Sequence, residues 1–124
     1  MKVRKLVEKH KAQSIHYLEN AFRFIEAGDA EKASEFLWGS MAQAIKAVAS
    51  SKGIQLKSHR KLWEYTIELA RDRQDADIKN TFDKAQSLHS NFYETGLLME
   101  DVAMSAENVR ATVAKLLSLI PKEG

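Results

Sequence analysis

Histidine is the side chain in this sequence best suited to acid–base chemistry near neutral pH or to metal binding. The chain has four histidines, His10, His16, His59 and His89, and no cysteine. No two of them are three or four residues apart, and neither a Glu-x-x-His nor an H-E-x-x-H pattern occurs, which disfavours the usual helical metal sites. The acidic segment 72–83 lacks the central glycine and terminal glutamate of a calcium loop. We therefore predict no metal site and expect no cofactor.

His89 lies in a segment, residues 88–94, for which two interpretations are open. In a helix one apolar stripe would include Ile78, Phe82, Ala85, His89 and Phe92. This spacing favours a histidine at the edge of the core, held by a hydrogen bond from a neighbouring helix. Alternatively, Tyr93 shares a helix face with His89, and Asn91 lies on the other side. The segment could then bind a ligand or transfer a proton.

A second candidate site is the start of a predicted helix at Ser58-His59-Arg60. Ser58 could simply cap this helix while the basic residues are solvated. Alternatively, backbone N–H groups at the helix start, together with His59 and Arg60, could hold a phosphate or another anion. Lys57 and Lys61 would then assist, and the sequence leaves both interpretations open.

The two tryptophans, Trp38 and Trp63, both have apolar neighbours in the sequence. An indole ring buries a large apolar area when it packs. We therefore predict that both tryptophans are packing residues and not platforms for stacking bases.

The net charge of +2, from 19 basic and 17 acidic residues, is too small to indicate nucleic-acid binding by itself. It conceals two basic clusters, one in residues 2–11 and one in residues 52–61. The first cluster is most simply a solvated face and would gain functional interest only beside Ser58. No apolar run is long enough to cross a bilayer, and Lys and Glu interrupt the N-terminus where a signal peptide would be apolar. We expect a cytoplasmic protein without membrane contacts.

The elements that must position these residues are helices. Hydrophobic residues make up 44% of the 124, with only five glycines and one proline, which suits a globular domain with few turns. Apolar spacings of three and four predict helices at about residues 3–27, 30–51, 59–73, 77–95 and 100–120. Short connections favour antiparallel neighbours. We predict an all-α fold, an antiparallel bundle of four to five helices, forming a single domain over residues 1–124 with its core at about 3–120.

The second predicted helix, residues 30–51, is unusually rich in alanine, serine and glycine. Small side chains allow two helix backbones to approach closely. This helix should therefore be central and contact several neighbours or a second subunit.

Three segments together resemble the archaeal PaREP family, which belongs to the HEPN (higher eukaryotes and prokaryotes nucleotide-binding) superfamily of helical bundles. They are residues 33–39 (ASEFLWG), 58–63 (SHRKLW) and 88–94 (LHSNFYE), and the resemblance covers about residues 15–120. It implies a HEPN-like bundle that usually dimerises. Many HEPN proteins are metal-independent RNases of toxin–antitoxin or defence systems, while others bind nucleotides or proteins without catalysis.

The resemblance also implies which residues would cleave RNA. The HEPN nuclease signature is an arginine, then four to six residues, then a histidine, with a polar residue after the arginine. Here four residues separate Lys84 from His89, so Lys84 stands in place of the arginine. Ala85 stands in place of the polar residue. Lysine cannot reproduce the planar two-point contact of arginine with a phosphate.

The incomplete signature favours a non-catalytic HEPN-like module that forms a homodimer and binds a partner protein, nucleotide or RNA. Its ligand site would include His59, Arg60, His89, Asn91 and Tyr93. The alternative is an RNase that uses His89 for acid–base chemistry, with Lys84, Arg60 or another cation on the phosphate and an antitoxin-like protein as partner.

Overall fold

A computed structural model describes the backbone of residues 2–95 and 99–122, and the side chains of residues 3–90 and 99–122. It contains five helices: α1 (Lys2–Glu26), α2 (Ala30–Ser51), α3 (His59–Asp72), α4 (Ala76–Thr95) and α5 (Met99–Ser118). The described residues form no strand. The all-α prediction is confirmed, and the helix bounds differ from the expected ones by at most two residues.

The helix ends follow from local chemistry. The Asp29 side chain accepts a hydrogen bond from Lys32 N, and the Ser58 side chain accepts one from Lys61 N, so both residues act as N-caps. Gly28 and Gly53 follow the ends of α1 and α2 with φ of 78° and 77°, a conformation that costs glycine little. Local hydrogen bonds and glycine therefore set the starts of α2 and α3 and the ends of α1 and α2.

Helix α2 is the centre of the bundle. It contacts all four other helices, and α1 covers the largest part of it. Its buried residues cover the larger part of the helix surface and include Leu37, Met41, Ala44, Ile45 and Ala47. The expectation that this helix contacts several neighbours is confirmed, and its small residues are used inside one chain.

The contact between α1 and α2 is close because small polar residues face each other. Ser14 Oγ donates to Ser40 O at 2.9 Å, and Ser40 Oγ donates to Ser14 O at 2.8 Å. Both serines are fully buried, so this reciprocal pair satisfies both hydroxyl donors away from water. A Cβ atom on Gly39 would lie 2.9 Å from Tyr17 Cδ2. A larger residue at position 39 would therefore force the Tyr17 ring to shift.

None of the helices in the described part of the chain is both long and apolar enough to cross a membrane.

The α1–α2 contact predicts that Gly39→Leu will destabilise the protein. The new side chain must displace the Tyr17 ring, and overpacking of this kind costs about 1–3 kcal/mol. The free energy of unfolding in urea measures the loss. Glu35→Leu is the matched control, because Glu35 is an exposed residue one turn away on the same helix. We expect it to change the stability by at most about 0.5 kcal/mol. Equal stability of the two variants would contradict the close contact.

Candidate functional site

The start of α3 is held against both α2 and α4 through His59. The His59 and Trp38 ring centroids are 5.6 Å apart, and Trp38 in turn meets Phe82 edge-on at 5.0 Å. The Gln86 side-chain amide donates to His59 Nε2 at 3.0 Å. His59 is nevertheless exposed to solvent, so its imidazole is oriented by two neighbouring helices while remaining accessible to a ligand.

His89 does not lie on the apolar stripe of α4, and that prediction was wrong. Leu88 is 1% exposed, whereas His89 is exposed. Burial of the leucine contributes more apolar area than burial of the imidazole, so α4 turns Leu88 toward the core. His89 lies three residues after Gln86 and therefore on the same side of α4. This places His89 one helical turn from the residue that contacts His59.

Lys84 lies elsewhere. It lines a shallow groove of about 260 Å³ between α4 and α5, with Asn80, Ser105 and Asn108. Lys84 and Gln86 are two residues apart, so they project to nearly opposite sides of the helix. Within one chain, Lys84 is therefore separated from the His59 and Gln86 contact. The remaining predicted site residues, Asn91 and Tyr93, have side chains outside the described residues.

Arg60 extends from the first turn of α3 into solvent. Its Nε lies 3.3 Å from a carboxylate oxygen of Glu64, and the two side chains are 84% and 47% exposed. An exposed ion pair of this kind contributes little free energy, so a phosphate could compete for the guanidinium. Lys57 and Lys61 are also exposed. The cap at Ser58 is confirmed, and the basic residues beside it face water.

The prediction that both tryptophans pack is right for Trp38 and wrong for Trp63, which is 42% exposed. The core side of α3 is already filled by other residues, among them Leu62, Thr66 and Leu69. Trp63 follows Leu62 directly, so it lies about 100° around the helix from it, at the edge of that side. Trp63 is also four residues after His59, which places an exposed indole and an accessible imidazole on one helix face.

The two basic clusters meet, which the sequence did not reveal. Lys5 and Lys9 of α1 line one groove with Lys57, the residue before the Ser58 cap. The segment after α2 runs back along α1 and so brings residue 57 next to the chain's N-terminal helix. Lysines at i and i+4 share a helix face, so the pairing of Lys5 with Lys9 was visible in the sequence. Their proximity to Lys57 depends on the path of a connection.

The pKa values of Tyr65, Asp75 and Lys115 are shifted by their surroundings. Burial raises the pKa of Tyr65 above its ordinary 10.0, and the nearby Glu68 and Asp72 carboxylates raise it further. A hydrogen bond from Lys115 lowers the pKa of Asp75 and raises that of Lys115. This pair, 2.7 Å apart, joins the turn before α4 to α5. These three residues are separate from the contacts of His59 with Trp38 and Gln86. Their pKa shifts arise from burial and from contacts within the bundle.

The described residues hold no group of three or more His, Asp or Glu side chains that could bind a metal ion. The surface around His59 contains an oriented imidazole, a guanidinium, an indole and the start of a helix. Such groups suit an anionic ligand with an aromatic part. We call the surface formed by His59, Arg60, Trp63, Gln86 and His89 the α3–α4 face.

Comparison with known proteins gives a family and a fold. A family model described as the archaeal PaREP1/PaREP8 family matches residues 9–113. The crystal structure of a protein from Sulfolobus solfataricus is similar with a TM-score of 0.76 at 21% identity. The similarity covers 88% of this chain and 97% of the other. At that identity it shows the shared fold alone. No curated protein matches the chain significantly.

Tyr65 gives a prediction about α3 that is independent of ligand binding. It is 9% exposed, and its hydroxyl has no hydrogen-bond partner in the described part of the chain. Removing a buried, unpaired hydroxyl should cost nothing or stabilise the fold, so Tyr65→Phe should unfold at the same or a higher urea concentration. Ser40→Ala is the control, because it deletes a paired hydroxyl and should lose about 1 kcal/mol.

The same residue predicts a pH dependence. The pKa of Tyr65 is raised in the folded state. The contribution of Tyr65 to the free energy of unfolding is therefore fully present below pH 10.0. It is lost as the pH rises through the folded-state pKa, since the unfolded state releases the proton first. The alkaline loss of stability should therefore be smaller in Tyr65→Phe than in the wild type. An identical alkaline profile would contradict the raised pKa.

Proposed function

This chain belongs to the archaeal PaREP1/PaREP8 family, and from that premise we propose that it is a HEPN-like module that binds RNA or a nucleotide as a homodimer without cleaving it. The ligand lies on the α3–α4 face. The observation that carries the proposal is the exposed indole of Trp63 on the helix face of His59, next to the exposed guanidinium of Arg60.

The chemistry of this face matches a nucleotide. Stacking of a base on an aromatic side chain contributes about 1–3 kcal/mol and tolerates any base. Arg60 can form two parallel hydrogen bonds to a phosphate, and its exposed contact with Glu64 is weak enough to be exchanged. The N–H groups in the first turn of α3 add positive potential. His59, oriented by Gln86, completes a surface with one stacking and several polar groups.

The second candidate is a metal-independent RNase in which His89 moves the proton. Gln86 contacts His59, and His89 lies on the same side of α4 as Gln86. Two imidazoles on one surface support the RNase. Against it stands Lys84, the residue in place of the signature arginine, which lines the groove between α4 and α5. A cation for the scissile phosphate must then come from Arg60 or from a second subunit.

A homodimer is part of the proposal because the HEPN resemblance implies one. The small residues of α2, including Ala44, Ala47 and Ala49, are fully buried within a single chain. The dimer contact therefore uses another surface. Light scattering at micromolar concentration should give twice the 14.0 kDa of one chain, and a particle of one chain would exclude this part of the proposal.

Binding is tested with a fluorescently labelled single-stranded RNA and with ATP at low salt. Arg60→Ala should weaken RNA binding by about fivefold to tenfold through loss of a charged hydrogen bond. Trp63→Leu should weaken it by about tenfold through loss of stacking. Arg60→Ala should also make binding less dependent on salt, because one fewer counterion is released.

Arg71→Ala is the matched control, because Arg71 is an exposed arginine near the other end of α3. We expect it to leave binding within about twofold of the wild type, apart from a small change in overall charge. Equal losses in Arg60→Ala and Arg71→Ala would indicate non-specific attraction. Absence of saturable binding of both RNA and ATP would contradict the proposed function.

Cleavage of the same RNA in EDTA separates the two candidates. The binding module predicts intact RNA with both the wild type and His89→Ala. Because general acid–base catalysis contributes about 10²–10⁴-fold, an RNase should lose its activity in His89→Ala while retaining RNA affinity. Cleavage that is lost only in that variant would replace the proposed function with the RNase.

A further inference from the structure

A second surface, separate from the α3–α4 face, is an open groove between the first turns of α1 and the segment that connects α2 to α3. Its volume is about 640 Å³. One wall is formed by Val3, Lys5, Leu6 and Lys9, and the other by Gly53, Ile54, Gln55 and Lys57, with Ser50 between them. We call it the basic–aliphatic groove.

The charge of this groove has one sign. Its three lysines, Lys5, Lys9 and Lys57, are exposed, and no acidic residue lines it. None of the three forms an ion pair with another described residue of the chain. The neighbouring Glu8–Lys11 pair lines a different groove, on the α5 side of α1. Three ammonium groups that share one concave surface attract an anionic partner.

The groove is also aliphatic. Val3 is 49% exposed and Ile54 is 40% exposed, and they stand on opposite walls. Leu6 is half-buried beside them. Two of the most exposed large aliphatic side chains of the described residues therefore lie among the unpaired lysines. Exposed apolar surface rimmed by charge is typical of a contact site.

The lining fits two kinds of ligand poorly. Small molecules are usually enclosed over most of their surface, whereas this groove is open along its length. Single-stranded RNA binds with the help of aromatic stacking platforms and arginine, and the groove contains neither. Carboxylates that alternate with aliphatic side chains match both properties of the groove, because the carboxylates meet the lysines and the aliphatic groups meet Val3, Leu6 and Ile54.

We propose that the basic–aliphatic groove binds an acidic, aliphatic peptide segment of a partner protein. The lysines provide orientation and fast association, and the aliphatic residues are buried on binding. This goes beyond the proposed function, since the ligand is a protein and the residues are different. Lys57 directly precedes the Ser58 cap of α3, so a bound segment would lie next to the α3–α4 face.

The test uses a short fluorescein-labelled synthetic peptide in which glutamates alternate with leucines. We expect saturable binding at low salt that weakens as salt is added. Lys5→Ala combined with Lys9→Ala should weaken it about tenfold, and Ile54→Ser should weaken it about fivefold. These residues are exposed, so the variants should keep the wild-type circular dichroism spectrum.

Matched controls are available in the same chain. Lys84→Ala removes an exposed lysine from the groove between α4 and α5. Ile15→Ser removes an aliphatic side chain of α1 that is 46% exposed. Neither should change peptide binding by more than about twofold. A peptide of alternating glutamate and serine should bind about tenfold more weakly, because it lacks the groups that meet Val3 and Ile54.

The outcomes separate this inference from the proposed function. Arg60→Ala and Trp63→Leu should reduce RNA binding and leave peptide binding unchanged. No saturable peptide binding, equal binding of the serine peptide, or equal losses in the control variants would each overturn the inference. RNA binding that depends on Lys5, Lys9 and Ile54 would also overturn it and would make the groove part of the RNA surface.

Discussion

The burial of α2 determines how the other helices are arranged. Twelve of its 22 residues are buried and cover the larger part of the helix surface, so the other helices have to pack around it. That is possible only because small residues let α1 approach closely, through the Ser14–Ser40 pair and the space left by Gly39 for the Tyr17 ring. Close packing of this kind tolerates little added volume. The centre of the molecule is therefore closely packed, and a ligand has to bind at the surface.

Helix α3 is the element that this arrangement leaves most open. Among the described helices it contacts only α2 and α4, so one side of it is buried and the other meets solvent. The buried side is filled by Leu62, Tyr65, Thr66, Leu69 and Ala70, which leaves Arg60 and Trp63 outside. Its start is oriented by the contacts of His59 with Trp38 and Gln86. A rigid start and an exposed aromatic residue are what a stacking surface for a base requires, and a loop could not hold these groups as firmly.

The connection between α2 and α3 links the two surfaces. Gly53 ends α2 with a positive φ, and the chain then passes along the start of α1 until Ser58 begins α3. This path puts Lys57 beside Lys5 and Lys9 and puts His59 beside Trp38 a few residues later. The two basic clusters lie together, whereas acidic residues such as Asp72, Asp75 and Asp77 lie around the turn between α3 and α4. The chain is therefore nearly neutral as a whole but has a positive potential at this surface.

The all-α class, the five helices, the caps at Asp29 and Ser58 and the central position of α2 can all be predicted from the sequence. These depend on local spacing and local hydrogen bonds, which a helix fixes within a few residues. The sequence also shows that Lys84 and Gln86 are two residues apart and so lie on nearly opposite sides of α4. The packing of the helices was needed to show that Leu88 and not His89 faces the core, that Trp63 is exposed, and that the two basic clusters meet. Periodicity shows which residues share a face of a helix, but the neighbouring helices decide which face is buried. The path of a connection decides which distant residues come together.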